Sequence, residues 1–386
     1  MRLSALPPLS LYVHVPWCVR KCPYCDFNSH EARDGIPEDA YVAALIGDLE
    51  SALPSVWGRR VQSIFFGGGT PSLFSAHAID TLLSALRARL PLAADCEITL
   101  EANPGTVEAA KFRGFRAAGI NRLSIGVQSF DSRALQALGR IHDAMEARRA
   151  VGSALEYFDN VNLDLMYGLP GQTPDDLQAD LDAALSFGVP HLSYYHLTME
   201  PNTLFHRYRP PVPDDDAAAA MQEAIDAALG AAGYANYETS AWARAGRECR
   251  HNLNYWRFGD YLGIGAGAHS KLSFPGRVVR QARAKQPKDY LQRSASGALI
   301  ADEHEVATRD LVFEFMMNAL RLAGGFEIAL FTERTGLAIA AADAPLELAE
   351  ARSLIGRDHA RIWPTELGRR FLNDLLQLFL PEGNQQ

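Results

Sequence analysis

"LSLYVHVPWCVRKCPYCDF", residues 9–27, joins a short β-rich run to a loop that holds Cys18, Cys22 and Cys25 within eight residues. The whole chain has only five cysteines, and the other two, Cys96 and Cys249, are isolated singles. Two readings compete for the triplet: thiols packed into a turn, or thiolates converging on one metal site. An odd number of cysteines in a reducing compartment is read as ligands before disulfides. Zinc usually takes four N or S ligands, so a zinc reading needs His14 or His30 to complete a half-site. Three cysteines alone suit an iron–sulfur cubane with one iron open to an external ligand.

Outward from this loop, β-rich runs and helical patterns alternate. "LSLYVHV" precedes "EDAYVAALIGDLESAL", "VQSIFF" precedes "AIDTLLSALRARL", and "CEITLEAN" precedes "VEAAKFRGFRAAG". "RLSIGVQS", "NVNLDLMYG" and "HLSYYHLT" continue the series, the last before an Ala-rich helix at about 215–232. Six strand–helix units in a row predict an α/β fold with a parallel sheet, either a curved partial barrel or an open doubly wound sheet. Loops expected at the carboxyl ends of the strands carry Gly and Pro: "FGGGTPS", "EANPGT" and "YGLPGQT". Ligands bind at that end of parallel α/β sheets, so the chemistry is expected there. "QTPDD" reads as a helix start, with Thr173 as cap, Pro174 at the first helical position and Asp175 and Asp176 in the first turn.

The expected boundaries are a barrel over 1–235, a connecting segment over 236–300 in which "GIGAGAHS" reads as loop, and a C-terminal module over 301–386. The last contains the amphipathic "TRDLVFEFMMNALRLAGG" and suggests a small helical or winged-helix unit. Hydrophobic residues make up 48% of the 386 and charged residues 22%, a globular composition with no apolar run long enough to span a bilayer. No secretory signal pattern is seen at the N-terminus, so a cytoplasmic location is expected. A net charge of −9 argues against nucleic acid as a partner.

The triplet at the end of a first strand resembles the signature of the radical S-adenosylmethionine (SAM) enzymes. "GGGTPS" (67–72), "EANP" (101–104), "GVQSF" (126–130) and "DLMYGLPGQT" (164–173) follow in the order of the coproporphyrinogen III dehydrogenase branch, HemN and its relatives. The resemblance implies a partial (β/α)6 barrel with a small C-terminal domain. It also implies a 4Fe–4S cluster on Cys18, Cys22 and Cys25, with SAM chelating the fourth iron. By the same resemblance the SAM pocket takes Tyr12, Tyr24, Gly67, Gly68, Gly69, Thr70, Glu101, Gln128, Arg140, Asp164 and Met166. Glycines there permit close backbone approach to the cofactor's methionyl part, and Glu101 suits ribose hydroxyls or the ammonium group. Ordinary alternatives stand beside these roles: a plain turn for the glycines, a helix cap for Glu101, a pair with Asp143 for Arg140, core packing for Tyr12 and Met166.

Two departures separate this chain from the porphyrinogen-oxidising members of the branch. Those carry a further Cys two residues after the triplet, where this chain has Phe27, and they have a longer N-terminal extension than the 17 residues before Cys18. Both departures resemble the HemW-type haem chaperones, in which haem is cargo delivered to apo-haemoproteins such as respiratory enzymes. "HNLNYW" (251–256) matches a pattern of that branch, making His251, Tyr255 and Trp256 candidate haem residues. Beyond haem and its acceptors, a second copy of the chain and transient contact with membrane-bound acceptors are the partners considered. The rival function is oxygen-independent coproporphyrinogen III oxidation or another radical SAM oxidoreductase reaction in porphyrin metabolism.

Overall fold

Strands β1 (Leu9–Val15), β2 (Val61–Gly68), β3 (Leu92–Ala102), β4 (Arg122–Gln128), β5 (Val161–Tyr167) and β6 (His191–His196) lie side by side and parallel. The computed structural model that shows them describes residues 2–106 and 109–381. Helices α1 (Glu38–Val56), α2 (Ala76–Arg89), α3 (Ala109–Ala118), α4 (Ser132–Ala137), α5 (Ala144–Leu155), α6 (Pro174–Ser186) and α7 (Asp215–Ala231) connect them or follow them. Leu9, Leu11, Val13 and Val15 of β1 point to the helical layer and are buried in the main core, together with Leu45 and Leu49 of α1. The expected helix start at Thr173 is present as a reciprocal capping box with Asp176.

The inner face of the sheet is polar. Register places Ser10, Tyr12 and His14 of β1 beside Ser63, Phe65 and Gly67 of β2, and Glu101 of β3 beside Ser124 of β4. Side chains alternate across a strand, so the same strands that bury apolar groups outward aim hydroxyls, carboxyls and imidazoles inward.

The segment 236–300 is not a connection, which corrects that boundary. β7 (Ala235–Glu238) and β8 (Ala241–Ala243) add an antiparallel hairpin to β6. After the short helix α8 (Arg250–Trp256), β9 (Asp260–Ile264) pairs parallel to β1. The meander β10 (His269–Phe274), β11 (Arg277–Arg283) and, after α9 (Pro287–Ser294), β12 (Ile300–Glu305) extends the sheet. The order is β12-β11-β10-β9-β1-β2-β3-β4-β5-β6-β8-β7, a barrel that stays open. Glycines in "GIGAGAHS" look like loop signals. Gly263 instead sits inside β9, where the backbone of His269 comes so close that no Cβ fits.

A buried pair ties this meander to the barrel. Asp48 of α1 accepts hydrogen bonds from Arg283 Nε (3.2 Å), the Tyr290 hydroxyl (2.9 Å) and Gly265 N (3.1 Å), and Asp48 and Arg283 are both buried.

A second core forms around Phe315, Phe326 and Phe331. It includes α10 (Leu311–Ala319), α11 (Ile328–Thr335), α12 (Asp343–Ala351) and an antiparallel sheet of β13 (Phe326–Glu327), β14 (Ile355–Arg357) and β15 (Arg361–Pro364). This is the helical, winged-helix-like unit read from the sequence. Phe258 and Val278 of the barrel side join this core with Val306 and the residues after it, while 300–305 belong to the exposed edge strand β12.

Candidate functional site

The cysteine loop closes on itself beyond β1. Trp17–Cys18 pairs with His30–Glu31, Cys25 N donates to Cys22 O (3.1 Å), and Lys21 Nζ donates to Phe27 O (3.1 Å). Asn28 anchors it to the meander through Nδ2 bonds to Ala266 O (3.0 Å) and Lys285 O (3.0 Å). The three thiols line one cavity of about 410 Å³ together with Gly68, Gly69, Thr70, Glu101, Gln128, Arg140, Asp164, Met166 and Tyr24.

Each sulfur has a polar neighbour. Thr70 Oγ1 donates to Cys18 Sγ (3.6 Å), Arg140 Nη1 donates to Cys22 Sγ (3.6 Å), and Cys25 Sγ lies 3.7 Å from Ser29 Oγ. Burial pushes the Cys18 and Cys25 thiols up, while Thr70 and Ser29 pull them back. Bound iron would supply the larger charge and deprotonate the thiols that coordinate it. Among the described residues no three His, Cys, Asp or Glu side chains meet around a point for a single ion. A cubane instead presents one thiolate to each iron. The proposed zinc partners are otherwise engaged: His14 bonds Tyr12 and Asn28, and His30 bonds Asn28.

The glycine stretch supplies proximity more than hydrogen bonds. Gly68 has φ of +117°, and a Cβ there would stand 2.6 Å from the His14 ring. A Cβ on Gly69 would stand 2.5 Å from Trp17 O. The N–H groups of Gly69 and Thr70 already donate to Val15 O and Trp17 O, and Gly68 N donates to Glu101 Oε2 (3.2 Å).

Two carboxyls face this cradle. Glu101 is pushed up to about 8, by burial first and then by the neighbouring Asp164. Asp164 accepts from Ser124 Oγ and Asn162 Nδ2, both at 2.8 Å, and burial raises it too. Neither forms an ion pair among the described residues. A pair of half-buried acids with no ion-pair partner among the described residues suits a ligand that brings positive charge and hydroxyls, as SAM does with its sulfonium, ammonium and ribose. Gln128 completes the wall at φ of +69°, beside a register shift between β4 and β5. Arg140 donates to Gly126 O (2.8 Å) and does not pair with Asp143, which caps α5.

Some expected residues lie elsewhere. Tyr12 and Gly67 are not on the cavity wall; they pack just below it, and a Cβ on Gly67 would meet Tyr12, Phe65 and Glu101. His251, Tyr255 and Trp256 are a clear correction, because "HNLNYW" is the helix α8, packed against β1, β2 and β9 near the other end of β2. His251 Nδ1 bonds Ser63 Oγ (3.0 Å), its ring stacks on Phe65 (5.0 Å), and its Nε2 is buried without a partner among the described residues. Burial, with Arg122 nearby, lowers its pKa to about 3. Tyr255 stacks on Tyr261 (4.2 Å), and Trp256 lies under Arg321 (5.1 Å). An imidazole so enclosed has no face to offer a macrocycle. Sequence reasoning missed Ser29, Ser124, Tyr195 and His196 on the cavity side, since nothing in their local pattern distinguishes them from strand and loop polar residues.

Comparison with known proteins agrees with this geometry. The model of the radical SAM superfamily matches residues 12–184, and that of the HemN C-terminal domain matches residues 306–371. Heme chaperone HemW of Escherichia coli (strain K12) is 50% identical over 383 residues, covering 98% of this chain and 99% of that protein. This chain belongs to the HemW family of the radical SAM superfamily. Heme chaperone HemW of Bacillus subtilis (strain 168) is 34% identical over 382 residues, covering 97% and 99%. The solved coproporphyrinogen III oxidase HemN of Escherichia coli, a radical SAM enzyme, has a TM-score of 0.82 at 25% identity, covering 97% of this chain and 90% of that one. A 4Fe–4S cluster and SAM are the cofactors of this superfamily, and the donor set of the cavity fits both. No helix among the described residues is long and apolar enough to cross a membrane.

Proposed function

We propose that this chain is a haem chaperone, which binds haem as cargo and passes it to apo-haemoproteins such as respiratory enzymes. The observation that carries the reading is 50% identity along almost the whole chain to a haem chaperone. Phe27 supports it: the position where the resemblance implies a further cysteine in the oxidising members holds a phenyl ring that is 65% exposed.

In this reading Cys18, Cys22 and Cys25 hold the cluster, and Thr70, Arg140 and Ser29 steady the sulfurs. Gly68 and Gly69 admit the methionyl part of SAM, while Glu101 and Asp164 take its cationic and hydroxyl groups. The bound cofactor pair supplies one-electron reduction of a sulfonium. Arg140 bridges the cysteine loop to β4 and so fixes the loop against the cradle. Cytoplasmic residence, a homodimer and brief contact with membrane-bound acceptors complete the proposal.

The second reading, coproporphyrinogen III oxidation, draws on the match to HemN along the whole fold. One experiment separates them. Anaerobically reconstituted protein with SAM and a reductant is given either coproporphyrinogen III or haem. Haem uptake and transfer to an apo-haemoprotein without decarboxylation supports the chaperone; protoporphyrinogen formation overturns it.

A further inference from the structure

The family motif expected to hold haem is sealed beneath the barrel, so the cargo needs another seat. Three segments place exposed apolar groups around the mouth of the cluster cavity. Val19 (52% exposed) and Phe27 (65%) come from the cysteine loop, Ile141 (37%) from the turn after α4, and Tyr195 (40%) from the end of β6. Large side chains left in water on three sides of one opening call for a flat apolar ligand.

A histidine lines the same opening. His196 is the last residue of β6, and no other histidine is on this wall among the described residues. Its ring stacks on Tyr167 with centroids 5.1 Å apart, which fixes its plane, and it is hydrogen-bonded through neither nitrogen among the described residues. The contrast with the other inner histidines is chemical. His14, His142 and His191 have both nitrogens occupied, and His251 is enclosed. Partial burial lowers the pKa of His196, which keeps its imidazole neutral, the form that ligates metal. Arg20 stands on the rim as a cation for a carboxylate tail, with Asp26 and Glu200 elsewhere on the wall.

We propose that haem seats across the mouth of the cluster cavity, with the His196 imidazole as axial ligand, Phe27 and Val19 against the macrocycle and Arg20 toward a propionate. The inference rests on the haem-chaperone reading and adds to it the site of the cargo. Haem placed there lies over the SAM pocket, so cargo and cofactor share one cavity.

The test titrates ferric haem into the reconstituted, cluster-loaded chain and into its His196→Ala and His196→Met variants, following the Soret band and the axial-ligand signature in electron paramagnetic resonance. Iron–sulfur content and far-ultraviolet circular dichroism serve as folding controls. The expected result is an imidazole signature in the parent. His196→Ala is expected to lose it with at least about tenfold weaker affinity, recovered by added imidazole, as loss of one metal ligand predicts. His196→Met is expected to replace it with a thioether signature, so the result does not hang on one variant. An unchanged signature and affinity in both variants overturns the site while leaving the chaperone reading intact. No haem uptake by the parent overturns the chaperone reading itself and the site with it.

Discussion

Replacing Glu101 with Gln tests how the cavity reads positive charge. Burial and Asp164 raise this carboxyl to about 8, so at pH 7 it is ionised in about one molecule in eleven and at pH 9 in about ten of eleven. If SAM binds the ionised form, its dissociation constant falls about tenfold from pH 7 to pH 9, or about 1.4 kcal/mol. The assay is calorimetric or equilibrium-dialysis binding of SAM to cluster-loaded protein across that range. The ligand's own ammonium titrates with both proteins alike, so the difference in slope between parent and Glu101→Gln isolates the carboxyl. The variant is expected to bind weakly with the tenfold component gone. Equal slopes in the two proteins would refute the reasoning. Stability carries the same shift with a fixed sign. The folded carboxyl keeps its proton between pH 4.5 and about 8, where the unfolded chain has lost it, so this group's contribution to the ligand-free fold falls as pH rises through that window.

Changing Cys18, Cys22 or Cys25 to Ser is expected to abolish the cluster, measured as bound iron and visible absorbance; full iron in all three variants would sink the assignment. Gly68→Ala forces a side chain into φ of +117° and onto a His14 ring held by Tyr12 and Asn28. At about 1–3 kcal/mol of strain it should weaken SAM binding tenfold or more, while Gly47→Ala, with open space at its Cβ, serves as the neutral control. Asp48→Asn leaves Arg283 buried without its carboxylate, and urea unfolding should show a loss of about 3–5 kcal/mol; a loss under about 1 would mean the pair is not a clamp. His251→Phe should leave haem uptake unchanged, since the ring is packed on Phe65; loss of haem binding in a folded variant would restore the motif as the haem site.

The interior of the barrel follows a different rule from its exterior. Thr99 Oγ1, Arg122 Nε and His251 Nε2 are buried without hydrogen-bond partners among the described residues. Thr99 and Arg122 are direct neighbours across β3 and β4, and Arg122 acts on the charge of His251. Such groups cost free energy when left dry, so a barrel filled with them gives up stability that an apolar core would provide. The compensating apolar burial lies outside, under α1 to α7.

The sequence alone determined the local and periodic features. Strand–helix alternation set six parallel strands, the spacing of Cys18, Cys22 and Cys25 set a shared loop, and Thr173 set a helix start, because each depends on residues a few positions apart. Glycine placement also marked the loop at the end of β2, since positive φ at Gly68 is a local demand. Tertiary structure decided whatever joins distant segments. Only the fold put Gly68 beside His14, Arg140 on Cys22, and Asn28 on Ala266. Only the fold made strands of residues in 236–300, turned "HNLNYW" into an enclosed helix and brought His196 to the cavity that the three cysteines line. A motif fixes which side chains are present. Which of them face a cavity depends on register and packing across the sheet, and a strand's alternation leaves that choice to its neighbours.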